Sequence, residues 1–141
     1  MINPDSLPSF ASPSLRVLIV DDQPDLLSML DLMMQRRQYA VKTAQSGDQA
    51  MLLAPDFCPH VVISDIGMPG MDGYQLMQKL RANDGLSPFK SIALSGFDVQ
   101  AENERAREAG YDAQMAKPVE FEQLFEMIES LASEIGSVTR S

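Results

Sequence analysis

Cysteine, basic charge and long apolar runs are what this sequence has least of, and each shortage removes a class of function. One cysteine, Cys58, in 141 residues leaves no partner for an internal disulfide, so the fold has to hold through its core. That suits a reducing, cytoplasmic location. No apolar run approaches the roughly 20 residues that cross a bilayer, so no membrane anchor is expected. Eleven Lys and Arg against 20 Asp and Glu give a formal charge of −9. A surface so acidic argues against nucleic acid as a direct partner, because phosphate backbones are bound through clustered cations. The single histidine, His60, opens an apolar run, where packing rather than phosphate carriage is expected of it. No GxxxxGK or GxGxxG follows the first apolar run, which removes P-loop and dinucleotide sites.

What is present suits one domain with one core. Residues 1–14, rich in Pro and Ser with neither a basic start nor an apolar stretch, read as a flexible leader rather than a signal peptide. Residues 15–135 read as the domain and 136–141 as a flexible tail. The run Arg16 to Val20 is β-rich without polar alternation, as expected of a strand covered on both faces. It stops at Asp21 and Asp22. Pro24 then suits a first helical turn, and Leu26, Met29, Leu30 and Met33 follow at helical spacing. Leu32 falls off that stripe, either as an incidental exposed leucine or as part of a docking surface for a partner's helices. The cycle repeats: a polar edge strand from Tyr39 to Ala44, a helix from Gly47 to Ala54 closed before Pro55, and a strand from His60 to Ser64. A Gly/Pro-rich loop from Ile66 leads through Asp72, a helix cap, into a helix from Tyr74 to about Ala82. Strands at Ser91 to Leu94 and Ala113 to Ala116 flank a helix from Val99 to Ala109, ended by Gly110. Phe121 to Ile135 makes a final amphipathic helix. The scattered methionines read as flexible core filler.

Five alternating β and α units imply a parallel sheet with helices on both faces. Right-handed crossovers make the strands run one way, so their C-terminal ends share one edge, where ligands bind in open sheets. That edge collects Asp21 and Asp22 after the first strand, Asp65 after the third, Ser95 after the fourth and Lys117 after the fifth. Carboxylates held together repel unless neutralised, and a hard divalent cation such as Mg2+ would do so. Lys117 offers a point charge and Ser95 a hydroxyl for phosphoryl oxygens. These are the parts of a phosphoryl-transfer site, with Asp65 as the nucleophile.

LRVLIVDD, VVISDIGMPGMDG, IALSG and MAKPV resemble, in order, the signature segments of the receiver domain of two-component response regulators. The resemblance runs from about Leu15 to Ile135. It implies a flavodoxin-like fold, a doubly wound (βα)5 sheet in strand order 2-1-3-4-5 between two helical layers. It implies Asp65 as phosphoacceptor from a histidine kinase, a phosphotransfer protein or a small acyl phosphate. Mg2+ would sit on Asp22, Asp65 and the Gly67 backbone carbonyl, with Asp21 acting mostly through water. Ser95, Gly96 and Lys117 would bind and report the phosphoryl group, and the Lys117–Pro118 bond would be cis. Phosphorylation would alter the face made by the fourth helix, fifth strand and fifth helix, where a downstream protein docks. Gly67 and Phe97 occupy positions that tune phosphoryl lifetime in the family. One departure stands out: Gln114 occupies a position, three before the lysine, where many receivers carry an aromatic switch.

Two rival readings remain. A haloacid dehalogenase-type phosphatase also uses a strand-end Asp and Mg2+, but it needs a second acid two residues on, and Asp65-Ile66-Gly67 offers none. A pseudo-receiver that binds partners without phosphorylation is the alternative that Gln114 leaves open. Only GSVTRS follows the last helix, so the sequence reads as a stand-alone receiver or one cut from a larger chain. SDIGMPGMDGY and Gln114 resemble receivers of hybrid histidine kinases.

Overall fold

The computed structural model describes residues 14–96 and 99–135; the leader to residue 13, the 136–141 tail and Phe97 lie outside them. Five parallel strands are β1 (Arg16–Val20), β2 (Ala40–Ala44), β3 (Val61–Asp65), β4 (Lys90–Ser95) and β5 (Ala113–Ala116). Between and after them come α1 (Pro24–Arg36), α2 (Gly47–Phe57), α3 (Gly73–Arg81), α4 (Val99–Ala109) and α5 (Phe121–Ile135). The sheet order is β2-β1-β3-β4-β5, so the doubly wound, flavodoxin-like arrangement is as the sequence implies. No helix among the described residues is long and apolar enough to cross a membrane.

The unbroken apolar runs of the central strands follow from burial on both faces. Successive residues of β1 point to opposite sides: Leu18 and Val20 join the cluster under α2, α3 and α4, while Val17 and Ile19 join the one under α1 and α5. β3 is buried along its whole length. β2 is more polar because it lies at the sheet's edge.

Three details differ from the sequence reading. The helix α2 continues through Pro55 to Phe57 and is capped by Cys58 in the left-handed region at φ 50°. Pro55 lies in the last turn, so it removes one hydrogen bond and the turn still closes, the Cys58 N–H donating to the Ala54 carbonyl at 2.8 Å. Next, β3 and β4 each run to the acid or hydroxyl itself, ending at Asp65 and Ser95. The ladder continues that far because the Ile66 N–H still donates to the Leu94 carbonyl. Finally, the buried face of α1 is centred on Leu27, Leu30 and Met34; of the stripe read from the sequence, Leu30 is buried, Leu26 and Met33 pack partly buried against the same cluster, and Met29 lies off it. Leu and Met fill so many positions of this helix that two overlapping stripes have the right spacing. Met29 is 53% and Leu32 52% exposed.

Candidate functional site

All four strand ends expected to carry chemistry converge. Asp21 directly follows β1, fully buried, with its N–H donating to the Ala44 carbonyl of β2 at 3.0 Å. Its Oδ1 accepts from the Gln23 N–H at 2.9 Å, a local turn that aims the other oxygen away from the chain. That oxygen, Oδ2, accepts from Lys117 Nζ at 3.1 Å. The same ammonium lies 3.3 Å from Asp65 Oδ1. Lys117 is delivered by β5, whose pairing with β4 continues one step past the strand through the Lys117 N–H and the Ser95 carbonyl at 2.8 Å. The peptide that follows, Lys117–Pro118, is cis.

One oxygen each from Asp21, Asp22 and Asp65 lies within 4.8 Å of the others. Octahedral Mg2+ with oxygens at about 2.1 Å brings its ligands to roughly 3–4 Å of one another, so this donor set is of the right kind and nearly the right size. The charge balance points the same way. Three carboxylates stand beside one ammonium, which pairs with Asp21 and Asp65; that leaves two negative charges, the number a divalent ion cancels.

Electrostatics record that imbalance. Burial pushes the Asp65 carboxyl above its ordinary value and the Asp21 charge adds to the push, while Lys117 and the Gly67 N–H pull against it. Burial pulls Lys117 down, but its hydrogen bond to Asp21 and the charges of Asp65 and Asp21 outweigh that and hold it above the usual lysine value. The two shifts are compatible, because one ammonium serves two acids and satisfies neither fully.

Gly67 is exposed in the loop after Asp65, its N–H 3.4 Å from Asp65 Oδ1, and a Cβ there would meet nothing within 4 Å. Ser95 is buried at the end of β4, and Gly96 beside it is exposed. Gln114 is half-buried on β5, turned towards α4, where its side-chain amide reaches the Asn103 backbone carbonyl at a long 3.5 Å. The Asn103 side-chain oxygen is buried and has no hydrogen-bond partner among the described residues. His60 lies at the opposite end of β3: its Nδ1 accepts from the Arg16 N–H at 2.9 Å, the packing role expected of it. Asp72 caps α3 in a reciprocal box with Gln75.

Sequence reasoning missed the groups behind the site. The Ser64 hydroxyl donates to the Asp65 carbonyl at 2.9 Å, and the Tyr111 hydroxyl donates to the Gly73 carbonyl at 2.8 Å. A lone serine inside an apolar strand was a signal for the first. Nothing in the spacing marked the second, which joins residues far apart in the chain. At the sheet's other end Arg81 gathers the Phe89 and Gly110 carbonyls, Ser91 and Asp112, tying α3 to the starts of β4 and β5.

Comparison with known proteins places this geometry. The chain matches the family model described as the response regulator receiver domain over residues 17–129. It is 30% identical over 116 residues to the Protein PilH of Pseudomonas aeruginosa, covering 82% of this chain and 96% of that protein. To the response regulator PleD of Caulobacter vibrioides it is 28% identical over 84% of this chain, spanning only 26% of PleD. The virulence sensor protein BvgS of Bordetella pertussis is 36% identical over 79% of the chain, which spans 10% of BvgS. Among solved structures, a response regulator from Chloroflexus aurantiacus superposes with a TM-score of 0.78 at 29% identity, covering 85% of this chain and 98% of that one. The receiver domain of a histidine kinase from Syntrophus aciditrophicus gives 0.78 at 27%, covering 91% and 95%. With the family's model running from the first strand into the last helix, the chain belongs to the response regulator receiver domains of two-component signalling.

Proposed function

We propose that the domain is a phosphoacceptor in a two-component phosphorelay, with Asp65 taking the phosphoryl group from a phosphohistidine of a kinase or phosphotransfer protein. The observation that carries this is the Asp21, Asp22, Asp65 oxygen cluster with the Lys117 ammonium 3.3 Å from Asp65. An Asp65 oxygen attacks phosphorus, the P–N bond to the donor breaks as the O–P bond forms, and the imidazole leaves with the electron pair. Asp22, Asp65 and the Gly67 carbonyl would hold Mg2+, with Asp21 acting mostly through water. When bound, the ion supplies charge neutralisation for the incoming phosphoryl oxygens. Lys117 would pair with one of those oxygens, and the Ser95 hydroxyl and Gly96 backbone would meet a second.

The added charge, about −1.5 to −2, redraws the competition for Lys117 and is read on the face of α4, β5 and α5, where a downstream protein would dock. On this reading the domain catalyses only its own phosphorylation and dephosphorylation, in the cytoplasm. Incubation of the purified protein with acetyl phosphate and Mg2+, followed by intact mass measurement, tests it. One added phosphoryl mass, absent in Asp65→Asn and without Mg2+, is expected. No added mass, or equal labelling of Asp65→Asn, would overturn the proposal and leave the phosphorylation-independent interaction module.

A further inference from the structure

The loop that carries Asp65 and Gly67 is braced from the core side by a tyrosine. Tyr111 follows Gly110, whose φ of 115° turns the chain out of α4 and towards β5. Its ring lies in the core cluster with Met77, Leu80, Ala106 and Ala109 and is 3% exposed. A phenol so buried needs a partner. Its partner is the Gly73 carbonyl at 2.8 Å.

Gly73 is no ordinary helix start. A Cβ built on it would overlap the Asp65 carbonyl oxygen and come within 2.7 Å of the Ile66 Cα, so the first turn of α3 rests directly on the backbone of Asp65 and Ile66. Its N–H also donates to the Ile66 carbonyl at 2.9 Å. From the strand side, Ser64 Oγ donates to the Asp65 carbonyl at 2.9 Å. Burial pushes the Tyr111 phenol well above its ordinary value; the Ser64 hydroxyl opposes this and the Asp65 charge adds to it. The phenol stays protonated and able to donate.

We infer that Tyr111 is a positioning residue for the phosphoacceptor loop, its hydroxyl fixing Gly73 and thereby the backbone of Asp65 to Gly67 in the geometry that receives the metal. This rests on the phosphoacceptor reading of Asp65. The chemistry is a hydroxyl-to-carbonyl anchor: Tyr111→Phe keeps the ring's volume and deletes only the donor. A ring that merely filled space would leave the loop unchanged in that variant.

The test uses the full chain in three variants. Amide hydrogen exchange of residues 66–73 in metal-free protein should quicken about fivefold in Tyr111→Phe, the worth of one net hydrogen bond. Calorimetric titration should show the Mg2+ dissociation constant rising by a similar factor. Ser64→Ala should move both readouts in the same direction. Leu80→Val, which thins the same core without touching a hydroxyl, should lower Tm and move neither. Exchange and Mg2+ affinity within twofold of wild type in Tyr111→Phe, or an equal change in Leu80→Val, would overturn the inference. Failure of the parent reading looks different: the wild-type protein would take no phosphoryl group from acetyl phosphate, while exchange of the metal-free loop would still report on the anchor.

Discussion

Asp65 is held at a cost. Its carboxyl is buried beside fully buried Asp21 with a shared ammonium as the nearest compensation, so the folded state binds a proton at Asp65 more readily than the unfolded chain does. The sign of the pH dependence follows. Charged Asp65 destabilises the fold in full above its raised folded value. That penalty shrinks as pH falls and vanishes below the ordinary 3.8. In metal-free buffer at neutral pH, Asp65→Asn is therefore expected to raise Tm by a few degrees. The gain should disappear as the buffer is taken below the ordinary carboxylate range, and thermal scans across pH would show it. A variant no more stable than wild type at pH 7 would mean that Lys117 neutralises Asp65 completely. Gln114 meets α4 through its side-chain amide, which makes a long bond to the Asn103 backbone carbonyl.

Among the elements, α2 shows how tertiary context overrides a local rule. Pro55 should end the helix at Ala54, yet the helix reaches Phe57. Buried Ala50 and Ala54 hold the face against the sheet, and packing outweighs one missing hydrogen bond. Pro55→Ala would return an N–H to the Met51 carbonyl. The full interior penalty of proline is about 3 kcal/mol, reduced here by the last-turn position and by the entropy proline removes from the unfolded chain. A gain of about 1 kcal/mol in urea unfolding is the expected result, and a loss would show that the proline's rigidity matters more than its missing donor. Packing likewise shifted the centre of the buried face of α1 towards Leu27 and Met34, with Leu26 and Met33 at its margin. Leu26, Met29, Leu30 and Met33 satisfy helical periodicity as well as Leu27, Leu30 and Met34 do, and periodicity alone has no term for the direction from which the sheet arrives.

At the scale of the whole molecule, folding brings three acids to one point and leaves them two charges short of neutrality. A cation that binds only the folded state must then stabilise it by mass action. With Mg2+ at ten times its dissociation constant the gain should be about 1.4 kcal/mol, read as an upward shift of Tm in a calorimeter. Asp22→Ala removes the one acid of the three that is not buried, so the variant should fold and, if the ion sits at the proposed site, lose most of the shift. An equal shift in that variant would place the ion elsewhere.

The sequence by itself determined the class of fold and which strand ends meet at one edge. Short, β-branched apolar runs alternating with amphipathic segments read as central strands of a layered sheet, and parallel crossovers force their ends to one edge. Asp21, Asp22, Asp65, Ser95 and Lys117 were therefore legible as neighbours before any coordinates, because strand ends are marked by where hydrophobicity stops. Only the tertiary structure decided that Lys117 divides itself between Asp21 and Asp65, and that Tyr111 and Ser64 brace the loop from behind. Those contacts join residues through the core at separations with no periodicity. What selects them is the shape left between packed elements, which no local pattern encodes.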